Sequence, residues 1–118
     1  MNKTREKPRP LTVEDMLSFI PEKAEYEWET DEQGLVHIKV PKFEGKLGTT
    51  LCRVLQKDEM FTANLDVVGS FVWKQCDGRT SVKEILDRLQ KKFPDEEHID
   101  QRLFLFLRQM RQLRYLLF

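Results

Sequence analysis

The stretch Leu65–Ile85, LDVVGSFVWKQCDGRTSVKEI, constrains the fold more than any other part of the chain. Apolar residues at Leu65, Val68, Phe71, Val72 and Cys76 recur at helical spacing, which predicts a helix with one face turned inward. Gly69 lies where that helix can approach a neighbour closely. Trp73 adds an indole that needs burial and an acceptor for its N–H. Asp77-Gly78 predicts the helix end, because glycine readily takes the left-handed conformation that closes a C-terminus. Ser81, with Glu84 three residues on, is a capping box that opens a second helix; Thr80 is a competing cap. Two helices joined by so short a turn pack at a steep angle, as in helix-turn-helix units.

Composition narrows the class of protein. A chain of 118 residues forms one domain with a modest core, and 40% hydrophobic with 34% charged residues is a globular balance. Twenty basic and twenty acidic side chains cancel, so no global field favours nucleic acid or an anionic membrane. Cys52 and Cys76 are too few and too far apart for a zinc site or a disulfide framework, and Cys76 reads as a small core residue. The basic N-terminus is followed by no apolar signal segment, and no run approaches the ~20 apolar residues that span a bilayer. The expectation is a reduced, cytoplasmic protein.

Residues 1–10 are polar and basic with Pro8 and Pro10, which predicts a disordered lead-in; a basic arm for nucleic acid is the alternative. A short helix is expected within 11–21, with Thr12 as N-cap, Asp15 at the third position, Leu11 stapled on Met16, and Pro21 as the stop. Ala24–Val40 reads as a β-hairpin: Tyr26 and Trp28 alternate with glutamates, Val36, Ile38 and Val40 with His37 and Lys39, around a turn containing Gly34. Strict alternation predicts one buried face and one solvated face with cross-strand charge pairs. His37 has no partner histidine, cysteine or clustered carboxylate nearby, so it reads as sheet surface. Pro41–Gln56 is a connection broken by Gly45 and Gly48; its GKLGTT segment lacks the spacing of a Walker loop. Lys57–Ala63 is the expected third strand, short and imperfect enough to be a sheet edge.

Val82–Phe93 buries Val82, Ile85, Leu86, Leu89 and Phe93 on one helix face. In the last helix, expected over Ile99–Arg114, Leu103, Phe106, Leu107, Met110 and Leu113 face the core. Phe104, Arg108, Arg111 and Tyr115 form a second stripe, of aromatic and guanidinium groups. Either Phe104 packs under the Pro41–Gln56 connection while the arginines are solvated and complement the helix dipole, or the stripe lines a groove whose other wall is the third strand. Leu116-Leu117-Phe118 is expected to pack back on the domain.

Leu65, Asp66, Gly69, Trp73, Asp77, Gly78, Thr80, Val82, Glu84 and Ile85, with Phe93 and the FLRQM run ending at Met110, together resemble the PqqD-like family. Ser81 completes that structural motif. The resemblance covers roughly the last 60 residues well, the strand-rich part loosely, and the first 20 hardly at all. It implies an α+β, winged helix-turn-helix-like fold: a small three-stranded antiparallel sheet followed by a three-helix bundle, here with a short N-terminal helix added. The peptide-binding domain is expected over 24–118. Family members are non-catalytic precursor-peptide recognition elements, peptide chaperones that present a ribosomally made leader peptide to a modifying enzyme, often a radical SAM enzyme. The leader adds as an extra strand on the third-strand edge, which implies contacts from Lys57, Glu59, Met60 and Phe61. On the facing helix, Phe104 and Leu105 would take apolar leader residues, Arg108 and Arg111 acidic ones, with Tyr115 completing the stripe.

A second reading is a winged-helix DNA-binding regulator whose last helix enters a major groove with Arg102, Arg108, Gln109, Arg111 and Gln112. Zero net charge and the acids flanking that helix argue against it. A third is a structural partner that docks on an enzyme without holding a peptide. No nucleophile, metal-ligand or cofactor constellation is present to support an enzyme.

Overall fold

Side-chain caps open three of the four described helices. The computed structural model describes residues 12–41 and 60–118. Helix α1 (Val13–Ser18) starts on Thr12, whose hydroxyl accepts the Asp15 N–H while the Asp15 carboxylate accepts the Thr12 N–H. Strand β1 (Glu22–Lys23) is followed by β2 (Glu27–Thr30), β3 (Val36–Pro41) and β4 (Met60–Asn64). Helices α2 (Val67–Gln75), α3 (Val82–Lys92) and α4 (Ile99–Gln112) follow, and β5 (Leu116–Leu117) closes the chain. Asp66 caps α2 through the Gly69 N–H at 2.7 Å, and the Ser81–Glu84 capping box opens α3. Thr80 is not a cap: it is buried, and its hydroxyl donates to the Asp77 carboxylate. Between the helices, Gly78 takes φ +75 while Asp77 Oδ1 accepts the N–H groups of Arg79 and Thr80.

The main sheet is antiparallel in the order β2-β3-β4, with Trp28 opposite Ile38, Ile38 opposite Ala63 and Val40 opposite Phe61. Residues opposite one another point to the same face, so buried Ile38 and Val40 assign Trp28, Ala63 and Phe61 to the core side. Helix α2 lies on β3, and α2, α3 and α4 pack against one another. The core between the layers is built from Val36, Ile38, Val72, Trp73, Ile85 and Leu107, with α1 docked on α3. The fold is thus α+β and compatible with a winged-helix type, as expected from the sequence.

Four local expectations are corrected. Trp28 remains 39% exposed on β2, which pairs with β3 alone among the described residues; its ring meets Trp73 edge-on at 6.1 Å. The Trp73 indole N–H, expected to find an acceptor, has none among the described residues. Leu113 is 52% exposed, and Tyr115 is 5% exposed and in the core. Both differences follow from the end of α4. The Tyr115 N–H reaches back to the Met110 carbonyl, the Arg114 N–H to that of Arg111, and Arg114 sits at φ +63. This reversal stops the helix at Gln112 and rotates Tyr115 inward, where its ring meets Tyr26 edge-on at 5.4 Å.

A second, two-stranded sheet was not foreseen. Glu22 pairs with Leu117 and Lys23 with Leu116, so the chain end packs back as a strand beside the N-terminal segment. Strands of two residues carry no periodicity to read.

Candidate functional site

Strand β4 occupies one edge of the main sheet, and no strand pairs with its outer side among the described residues. Its core-side residue Phe61 is 44% exposed. Two residues past the strand, Asp66 caps α2 and its Oδ2 meets the Arg102 guanidinium of α4 at 3.3 Å. Arg102 also reaches Glu96 at 3.3 Å, so the beginning of α4 is tied to the end of β4. Beside that tie, Asp66, Gly69, Arg102, Leu105, Phe106 and Gln109 line a cleft of about 180 Å³ between α2 and α4. Leu105 is 55% exposed at its mouth.

The candidate contacts expected from the sequence fall in several places. Lys57 and Glu59 lie outside the described residues, as does most of the Pro41–Gln56 connection. Met60 opens β4 and Phe61 follows it. Leu105 lines the cleft. Phe104 is half-buried against the core. Arg108, one turn beyond Leu105, is exposed and forms no ion pair among the described residues. Arg111 faces elsewhere: its guanidinium lies 5.5 Å from the Phe19 ring and 5.2 Å from the Phe118 ring, stacked between α1 and the chain end. Tyr115 is buried and does not share a surface with them. The structure therefore brings Phe106, Arg102 and Gln109 together with Leu105, and separates Arg111 and Tyr115 from it. Phe106 had been assigned wholly to the core by its spacing. The signal for its position was Gly69, whose lack of a side chain announced a close approach without naming the neighbour.

The sheet's solvent face holds a polar cluster around His37. The His37 ring lies between Asn64 Oδ1 at 2.6 Å and Asp31 Oδ2 at 2.8 Å, joining the hairpin turn, β3 and the end of β4. Hydrogen bonds to Asn64 and then Asp31 raise the His37 pKa, and the hydrogen bond to His37 lowers that of Asp31. Burial pushes the Cys76 thiol up to about 12, so its thiolate is suppressed. No three His, Cys, Asp or Glu side chains among the described residues gather to hold a metal ion. No helix among them is long and apolar enough to cross a membrane.

Comparisons with known proteins complete these observations. No curated protein and no solved structure matches the chain. A family model described as coenzyme PQQ synthesis protein D (PqqD) matches residues 54–116. That segment, just over half of the 118 residues, takes in the edge strand, α2, α3 and α4 with its cleft. On this match, the chain belongs to the PqqD family.

Proposed function

We propose that this protein is a peptide-binding module without catalytic activity of its own, which holds the leader of a ribosomally made precursor and presents it to a modifying enzyme. The observation that carries the reading is the outer edge of β4, with which no strand pairs among the described residues, beside half-exposed Phe61. An extended peptide adding to that edge gains backbone hydrogen bonds along Met60–Asn64, and its alternate side chains turn toward the core face. Phe61 and Leu105 offer apolar contacts there, and the α2–α4 cleft offers a recess. Arg108 is the exposed guanidinium placed to meet an acidic residue of the peptide. Arg111 already stacks on two rings, which moves it from peptide contact toward holding α1 and the chain end. A radical SAM enzyme is the partner class that the family resemblance suggests, and a cytoplasmic setting accords with that chemistry.

The DNA-binding reading finds less support. Of the α4 cations it needs, Arg102 is held by two carboxylates and Arg111 by two rings.

The test is an NMR titration of the ¹⁵N-labelled protein with the synthetic leader of a short precursor encoded beside its gene. Shifts are expected on Met60–Asn64 and on residues 105–109, and N-methylation of alternate peptide amides should abolish them. Absence of shifts at about 1 mM peptide would rule out useful affinity and sink the reading.

A further inference from the structure

The Phe106 ring is seated against α2 at the one place where that helix has no side chain. A Cβ built on Gly69 would lie 3.0 Å from Phe106 Cε1 and 3.0 Å from Asp66 Oδ1. Carbon atoms pack best at roughly 3.5–4.0 Å, so an added methyl group must displace a neighbour. Asp66 is poorly placed to yield. Its Oδ1 accepts the Gly69 N–H at 2.7 Å and its Oδ2 meets Arg102 at 3.3 Å. Behind Phe106, buried Leu103, Leu107 and Met110 fill the core face of α4. The ring's free direction is outward, into the cleft that it lines with Leu105 and Gln109.

The size and lining of that cleft indicate its occupant. At about 180 Å³ it falls below the roughly 300–1,000 Å³ usual for small-molecule sites and suits a single amino-acid side chain. Its charged groups, Asp66 and Arg102, are already paired with each other, which leaves the apolar wall of Leu105, Phe106 and Val68 to make the contact. We propose that Gly69 determines which side chain the cleft admits: with no Cβ at this position Phe106 sinks against α2 and leaves room for one large apolar side chain. A Cβ at position 69 pushes the ring outward and restricts the cleft to small ones. The inference deepens the peptide-binding reading and rests on it for the nature of the ligand.

The full chain, ¹⁵N-labelled, is titrated with N-acetyl-leucinamide, N-acetyl-phenylalaninamide and N-acetyl-alaninamide while the amide signals of residues 66–69 and 105–109 are followed. The leucine and phenylalanine amides should shift them with millimolar affinity, and the alanine amide should not. Gly69→Ala should weaken the leucine amide about tenfold, the scale of a methylene-sized misfit in an apolar pocket. Adding Phe106→Leu to that variant should restore binding. Identical titrations for wild type and Gly69→Ala would overturn the proposal, as would no wild-type shift with any of the three amides. If Gly69→Ala does not fold, Phe106→Leu alone decides: it should move preference from the leucine amide to N-acetyl-tryptophanamide, and unchanged preference refutes the role of the ring. These single-residue probes cannot add a strand to β4. A leader peptide that fails to pair there would therefore sink the peptide reading while leaving the cleft result standing.

Discussion

Ser70→Ala probes the joint between the sheet and α2. Register places Val36 opposite Leu65, and the Leu65 N–H duly donates to the Val36 carbonyl at 2.9 Å. The return bond of that pair is replaced by a side chain. Ser70 Oγ accepts the Val36 N–H at 2.8 Å and donates to the Leu65 carbonyl at 3.3 Å. Val36 is fully buried and Ser70 nearly so, so removing the hydroxyl strands a backbone N–H with no water to take it. An unpaired buried donor costs about 1–3 kcal/mol, and the longer bond to Leu65 adds little. For a domain of this size, a loss near 2 kcal/mol lowers Tm by roughly 5–10 °C. Urea unfolding followed by tryptophan fluorescence should show a lower midpoint with an unchanged slope, because the native surface is the same. Hydrogen exchange at the Val36 amide should quicken more than at its neighbours. A loss below about 0.5 kcal/mol with Val36 still protected would refute the reasoning. It would mean that the strands close and pair directly once the hydroxyl is gone.

Three further outcomes are expected. His37 should titrate above its ordinary value near 6.5, and Asp31→Asn should bring it down, as read from ring C–H shifts. Because the folded pKa is raised, the stabilisation from His37 is complete below the unfolded pKa and is lost as pH rises through the folded one. Asp31 acts oppositely: its pKa is lowered, so its contribution is present above the unfolded value and lost as pH falls through the folded one. Equal His37 titration in wild type and Asp31→Asn would disprove the coupling. Arg111→Ala removes both ring stacks and should cost about 1 kcal/mol, with faster amide exchange in α1, and Arg111→Lys should recover little of it. A variant as stable as wild type would show that the stack contributes nothing. Cys76 should resist alkylation at pH 8 until the protein is unfolded, since its thiol is buried and its pKa is near 12. Mass spectrometry showing rapid native labelling at that residue would contradict the burial.

Much of the fold was legible because it is encoded within a few residues. The Thr12–Asp15 and Ser81–Glu84 boxes and the Gly78 turn each need neighbours at most three residues away, and each formed where expected. The three-stranded sheet was readable from alternation, and the edge position of β4 from its short, imperfect pattern. The last turn of α4 was not. Leu113 and Tyr115 keep the helical period in sequence, yet the backbone reverses at Arg114, a non-glycine residue at positive φ. The reversal is stabilised by Tyr115 packing on Tyr26, 89 positions earlier in the numbering, and by β5 pairing with β1.

The candidate site divides in the same way. Sequence alone determined that α4 carries more apolar and guanidinium groups than one core face needs, and that Gly69 marks a close approach. Only the tertiary structure decided which groups meet. Asp66 captures Arg102, two aromatic rings from opposite ends of the chain capture Arg111, and Phe106 fills the space above Gly69. Periodicity reports how side chains distribute around one helix. The choice among flanks rests on long-range contacts, whose partners a local pattern does not contain.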